Sequence, residues 1–376
     1  MDDLQKRTWA EISLKNIRHN YEAIRSTLPK GCRFLGVVKA DAYGHGALPV
    51  SMMLQEAGAD YLAVSCLDEA MELRQGGITM PILILGHTPP KYTETLIDNN
   101  ISQTISCYAK AVEYSEAAAK LGKELKIHIK LDTGMSRLGF LCSNGHYEEG
   151  LQNVVSACHL PGLIHEGIYT HFAVSDEEGE GNEAYTREQF NLFTSFIDDL
   201  ALKGDIHFEI RHCANSGATV NYPEMALDMV RPGLLLYGYG DSKGKLGLKP
   251  CMRLVTTVST IKIYEPGTSV SYGRRYVTDK KERMGILAIG YADGLPRISS
   301  NKCSYAVSGG FAPQRGSICM DMCMVDLSDL PQVDVGSEVE IFGETNSIYK
   351  LSDAAGTIPY EILCAVSKRV PRVYKD

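Results

Sequence analysis

Between Phe34 and Gly240 the chain repeats one unit eight times, a short apolar run followed by a longer segment with helical spacing. The apolar runs are Phe34 to Val38, Tyr61 to Ser65, Pro81 to Leu85, Ile101 to Ile105, Lys126 to Leu131, Leu163 to Thr170, His207 to His212, and Asp228 to Val230 continuing toward Leu236. Stretches between them, such as Tyr108 to Leu121 and Glu183 to Leu202, are rich in Ala, Glu and Leu and end at Gly122 and Gly204. Glycine past a periodic segment stops a helix, and parallel strands need such crossovers. Eight units in this span fit a (β/α)₈ barrel, whereas open parallel sheets usually have fewer strands.

After Gly240 the texture changes. Asp241 to Lys249 is a Gly/Lys-rich connector, followed by β-branched runs at Arg253 to Tyr264, Met284 to Tyr291, Met322 to Leu327 and Glu338 to Phe342. The chain therefore divides into a barrel over 1–241 and a mainly β domain over 242–376. Thr8 to Leu14 alternates like a strand ahead of a helical segment, Lys15 to Thr27, and can pair with either domain.

Thirty-eight Lys plus Arg against 46 Asp plus Glu give a charge of −8, which argues against a nucleic-acid-binding face. Met1 to Ala10 has no signal-peptide apolar run, and no membrane-length apolar stretch occurs, so the reading is cytoplasmic. The eleven cysteines include no CxxC pair, which suits reduced thiols rather than a disulfide framework or zinc site. The acidic stretch Ser175 to Glu183 lacks a histidine cluster and reads as a solvated loop, so no metal is expected.

Lys39 closes the first apolar run, which puts an ammonium at the end of a barrel where such folds do chemistry. A lysine there can snorkel to the rim; desolvated, it has a lowered pKa and can form a Schiff base with an aldehyde. The turn that follows, Ala40-Asp41-Ala42-Tyr43-Gly44-His45-Gly46, lets backbone approach a ligand.

The run Val37 to Gly46 resembles the pyridoxal-phosphate site of alanine racemases. Further motifs appear in the same order as in that family: Lys130-Leu131-Asp132-Thr133-Gly134-Met135-Ser136-Arg137, Tyr169-Thr170-His171, His212-Cys213-Ala214-Asn215-Ser216, Met229-Val230-Arg231-Pro232-Gly233, Ser271-Tyr272-Gly273, Gly290-Tyr291 and Cys319-Met320-Asp321. The resemblance runs from Thr8 to Val373.

What the resemblance implies is an isomerase in which Lys39 carries pyridoxal 5'-phosphate and two bases act on opposite faces of the substrate. Lys39 would serve the D-isomer and Tyr272, supplied across a homodimer, the L-isomer. His171 would support Tyr272, and Arg231, backed by His212, would donate to the pyridine nitrogen. A guanidinium keeps its proton, so that nitrogen stays unprotonated and side reactions are restricted. Tyr43, Ser216 and backbone N–H groups near Ser216, Gly233 and Leu234 would hold the phosphate. Arg137 would take the phenolic oxygen and the substrate carboxylate, with Lys130 carrying a carbamate in many members. The backbone of Met320, again from the second chain, would also meet that carboxylate; Tyr291 and Lys368 would line the substrate, and Asp321 would stand behind these groups.

Two positions depart from the family pattern. Lys368 stands where many members have a tyrosine that lines the inner entrance, and Ser317 stands where an arginine is common. Alanine is thus the leading substrate, with serine or several small amino acids as the alternative, because pockets discriminate poorly against one added hydroxyl. A decarboxylase on a related barrel fits the Tyr272 and Arg231 pattern less well. A non-catalytic pyridoxal-phosphate carrier would usually lack a C-terminal β domain.

Overall fold

The structure, a computed structural model, describes residues 7–241 and 243–376. Its contacts divide it into two compact units. One comprises Arg18–Ala42 and Ala47–Leu248; the other comprises residues 7–17, Tyr43–Gly46 and Lys249–Asp376.

In the first unit eight parallel strands follow one another in the order Met229–Val230, Arg33–Val37, Tyr61–Val64, Ile82–Ile84, Ile101–Ile105, Leu125–Asp132, Leu163–Tyr169 and Ile210–His212. Two backbone bonds tie the ends of this row together, Asp228 N–H to Arg211 O at 3.1 Å and Arg231 N–H to Ala214 O at 2.9 Å. The result is a nearly closed (β/α)₈ barrel.

Helices fill the connections, among them Ala47–Ala57, Tyr108–Leu121 and Glu180–Gly204. Gly122 ends the second of these in the left-handed region, φ 61°, and sends its N–H back to the last turn. Leu125–Asp132 shows how the unit is layered, because side chains alternate along a strand. Its apolar set, Leu125, Ile127, Ile129 and Leu131, is buried, and so are His128, Lys130 and Asp132 of the polar set. Buried polar groups need partners, and here neighbouring strands supply them: His128 Nδ1 lies 2.9 Å from His212 Nε2, and nearby Thr104 bonds Tyr169 at 3.0 Å and Thr133 bonds Thr170 at 2.8 Å.

The second unit is built on an eight-stranded sheet. Its order is Glu282–Leu287, Cys323–Asp326, Gly310–Arg315, Ser304–Val307, Glu338–Phe342, Met252–Tyr264, Thr8–Ser13 and Arg372–Lys375. Met252–Tyr264 also pairs with Glu282–Leu287, so six of these strands close on themselves. Thr8–Ser13 is antiparallel to Met252–Tyr264 and parallel to Arg372–Lys375, which ties residues 7–17 to the C-terminal residues. The run expected as a strand to Tyr291 stops at Leu287 and gives way to a 3-10 turn at Tyr291–Asp293. Among the described residues no helix is long and apolar enough to cross a membrane.

Candidate active site

The barrel unit gathers most of the candidate residues. Its first strand runs into Val38, whose N–H bonds Ala63 O at 2.9 Å, and Lys39 follows directly. Four non-glycine residues in succession, Ala40, Asp41, Ala42 and Tyr43, then take positive φ between 52° and 55°. Each such residue costs about 1–3 kcal/mol and persists only where its surroundings enforce it. Here Glu69 accepts from Ala40 N and from Ser65 N, both at 2.7 Å, and Asp41 accepts from Ala47 N at 2.7 Å. The turn that leaves Lys39 is thereby strained and pinned at both ends.

Arg231 lies just beyond the last barrel strand and is 4% exposed. Its Nη2 donates to Thr170 O at 2.7 Å, Cys213 O at 3.1 Å and His171 Nδ1 at 3.3 Å, and its Nη1 to His212 Nδ1 at 3.0 Å. The guanidinium also sits 5.1 Å from the centre of the Tyr169 ring, which stacks on His212 at 4.7 Å. Lys130 approaches the same ring at 5.5 Å. Tyr169, which stands in one of the motifs without an assigned role, is thus placed among the cations.

Charge at this place is one-sided. Burial, then Arg231, Arg137, Lys130 and Lys39, push the His171 imidazole well below its ordinary pKa, so it is neutral. Burial, then Arg137 and Arg231, bring Lys130 down to about 8, against a partial opposing pull from Asp132. Asp132 is itself occupied: it accepts from Gly134 N and Ser136 N at 3.0 Å and from Arg137 N at 3.1 Å. It shapes the turn that carries the exposed Arg137. Four cations around a neutral imidazole, with their nearest acid spent on backbone, leave a place suited to an anionic ligand.

Close by in the barrel, Ser216 opens the short helix Ser216–Asn221, which Asn215 caps by accepting from Ala218 N at 3.0 Å. The Ser216 hydroxyl accepts from Gly233 N at 2.9 Å, bringing Ser216, Gly233 and Leu234 together.

The second unit groups the remaining candidates. Tyr272 is 71% exposed, Met320 53% and Tyr291 42%. All three hang on one loop: Ser317 Oγ donates to Tyr272 O at 2.8 Å, Ser271 Oγ to Ser317 O at 2.7 Å, and Tyr291 N to Cys319 O at 2.9 Å. Gly290 is needed there, since a Cβ would meet Met320 O at 2.3 Å. Asp321 takes Arg369 Nη2 at 2.8 Å. Ser317, at the position where an arginine is common in the family, is buried and serves to hold the Tyr272 backbone.

Tyr43 also falls in this unit, buried, with its phenol pKa raised first by that burial. The aromatic residue beside it is Tyr360, ring centres 5.9 Å apart, while Lys368 is exposed. Tyr360 opens no apolar run of its own, being the second residue of the seven-residue helix Pro359–Ala365.

The alanine racemase N-terminal domain model matches residues 12–241, and the alanine racemase C-terminal domain model matches 251–374. The chain belongs to the alanine racemase family. A relative named alanine racemase from Clostridium perfringens is 46% identical over 383 aligned residues, covering 100% of this chain and 97% of that protein. The solved alanine racemase of Clostridium difficile 630 superposes with a TM-score of 0.92 at 39% identity, covering 99% of this chain and 97% of the other. An alanine racemase from Bacillus anthracis solved with L-Ala-P bound gives 0.88 at 34%, covering 99% and 96%.

Proposed function

We propose that the chain interconverts L- and D-alanine in the cytoplasm, as a homodimer with pyridoxal phosphate anchored at Lys39 and with Tyr272 supplied by the partner subunit. The observation that carries the reading is the excess of cations in the barrel, Lys39, Lys130, Arg137 and Arg231 around a neutral His171. A phosphate, a phenolate and a substrate carboxylate together supply the negative charge that this place lacks. When bound, pyridoxal phosphate supplies an electron-withdrawing ring that makes the Cα proton of an amino acid labile.

The residues divide the remaining work. Ser216 with the backbone N–H groups near Gly233 and Leu234, together with Tyr43, would hold the phosphate. Arg231 would donate to the ring nitrogen. Burial lowers its pKa, but from a starting value of roughly 12.5 or more the guanidinium stays charged and hands over no proton. Arg137 would fix the substrate carboxylate. Lys130, near 8, has an appreciable neutral fraction at physiological pH, which is what an amine needs to add carbon dioxide; the carbamate would turn one of four crowded cations into an anion.

Inversion then needs a proton taken at one face of Cα and delivered at the other. Two bases on opposite sides avoid moving a single one around the substrate. Lys39 serves one face, and the exposure of Tyr272, Met320 and Tyr291 on segments bonded to one another supports their delivery to the other from a second copy.

The test is incubation of purified protein and pyridoxal phosphate with L-alanine in deuterated water. D-alanine carrying deuterium at Cα is expected, and no D-alanine at all would overturn the reading. Tyr272→Phe should suppress Cα exchange of the L-isomer more than of the D-isomer; equal suppression would remove the two-base assignment.

A further inference from the structure

Inside the barrel a hydrogen-bonded line leads away from Arg231 that the steps above do not use. Arg231 Nη1 lies 3.0 Å from His212 Nδ1, His212 Nε2 lies 2.9 Å from His128 Nδ1, and His128 Nε2 lies 3.3 Å from Glu166 Oε2. A guanidinium only donates and a carboxylate only accepts, so the direction of every bond is fixed. His212 accepts at Nδ1 and must carry its proton on Nε2. His128 then accepts at Nδ1, carries its proton on Nε2, and gives it to Glu166. Both imidazoles are neutral in this arrangement. Burial works the same way, lowering both of their pKa values.

The strands are shaped to hold this line. At Gly167 a Cβ would come within 2.3 Å of His128 Nδ1, so only glycine leaves room for the ring. The pairing of the two strands also slips between Ile127 and His128. Glu166 is gripped by Ser102 Oγ at 3.0 Å and by Lys126 Nζ at 3.3 Å. Burial pushes its carboxyl up, but the bonds from His128 and Ser102 and the charge of Lys126 work against that and favour the carboxylate. Arg231 itself touches two backbone carbonyls and two imidazoles, and among the described residues no carboxylate pairs with it directly.

We infer that Glu166, acting through His128 and His212, is a positioning residue for Arg231: it supplies the guanidinium's counter-charge from a distance and fixes the plane in which Nη2 is presented. The inference rests on the assignment of Arg231 to the cofactor's ring nitrogen. A carboxylate placed directly on Arg231 would neutralise it where its positive charge is needed. Two neutral imidazoles with aligned dipoles deliver the same stabilisation and leave the front of the guanidinium cationic.

Two measurements test it. The ¹⁵N spectrum of the full-length wild-type protein, with and without pyridoxal phosphate, should give His128 and His212 as neutral Nε2–H tautomers from acid to alkaline pH. A charged ring, or an Nδ1–H tautomer at either position, overturns the proposal and needs no variant. Glu166→Gln should lower kcat per bound cofactor about tenfold, in the range typical of outer hydrogen-bond partners, with the alanine KM nearly unchanged. An unchanged kcat overturns the relay. Arg231→Lys, run alongside, separates the two ideas. If it leaves kcat intact, the Arg231 assignment falls; if it lowers kcat and Glu166→Gln does not, the relay alone falls.

Discussion

Lys130 is the residue whose burial and company change its chemistry most usefully. Held near 8 when folded, against roughly 10.4 for an exposed lysine, it binds its proton less tightly than the unfolded chain does. Between those two pH values the unfolded state carries the extra proton, so this residue makes stability rise with pH across that window, and its ionisation costs stability below about 8. In carbon-dioxide-free buffer, wild type should therefore gain on Lys130→Met by about 2 kcal/mol between about pH 8 and 10. Chemical unfolding at both pH values measures the difference, and a gap that does not widen would mean that Lys130 is not desolvated. The motif around Lys130 was legible in the sequence. Its environment was not, because Arg231 lies a hundred residues downstream and reaches it only through barrel closure. Glu166 went unnoticed, and Tyr169 was given no role of its own, for the same reason: each reads as part of one strand until the neighbouring strands bring His128 and His212 against it.

Elements were readable to the extent that their burial is periodic. Tyr61–Val64 lies where its apolar run indicated, since a strand buried on both faces tends to a continuous apolar run, and Ile101–Ile105 is found at its expected place although its buried middle is Ser102, Gln103 and Thr104. The hairpin Ser304–Val307 with Gly310–Arg315 escaped notice because its second strand carries Pro313 and Gln314 and alternates poorly. The helices Ile348–Ala355 and Pro359–Ala365 are too short for a periodicity to stand out. At this scale the turn Gly134–Arg137 is a device held by one carboxylate, Asp132, which takes three backbone N–H groups. Asp132→Asn keeps the shape but puts an amide NH₂ against one of those donors. Leaving a bond to a charged group unmade costs about 1.5–3 kcal/mol, so the alanine KM should rise about tenfold or more as Arg137 loses its fixed base. A KM unchanged from wild type would separate the turn from substrate binding.

For the whole molecule, the division of candidates between units has a consequence that kinetics can count. Lys39, Arg137, His171 and Arg231 belong to the barrel unit, while Tyr272, Met320 and Tyr291 belong to the other. If each site joins the barrel of one subunit to Tyr272 of the partner subunit, then Lys39→Ala and Tyr272→Phe damage different halves of it. Each variant alone has two defective sites per dimer. In a mixed dimer one site collects both defects and the other collects neither. Random exchange of equal amounts makes half of the dimers mixed, with one intact site of two, so about a quarter of wild-type activity should return. Unfolding and refolding the two variants together, then assaying L-alanine racemisation against each variant refolded alone, measures it. No recovery in a mixture whose subunits have demonstrably exchanged would mean that both bases come from one chain, and the exposed Tyr272 loop would need another explanation.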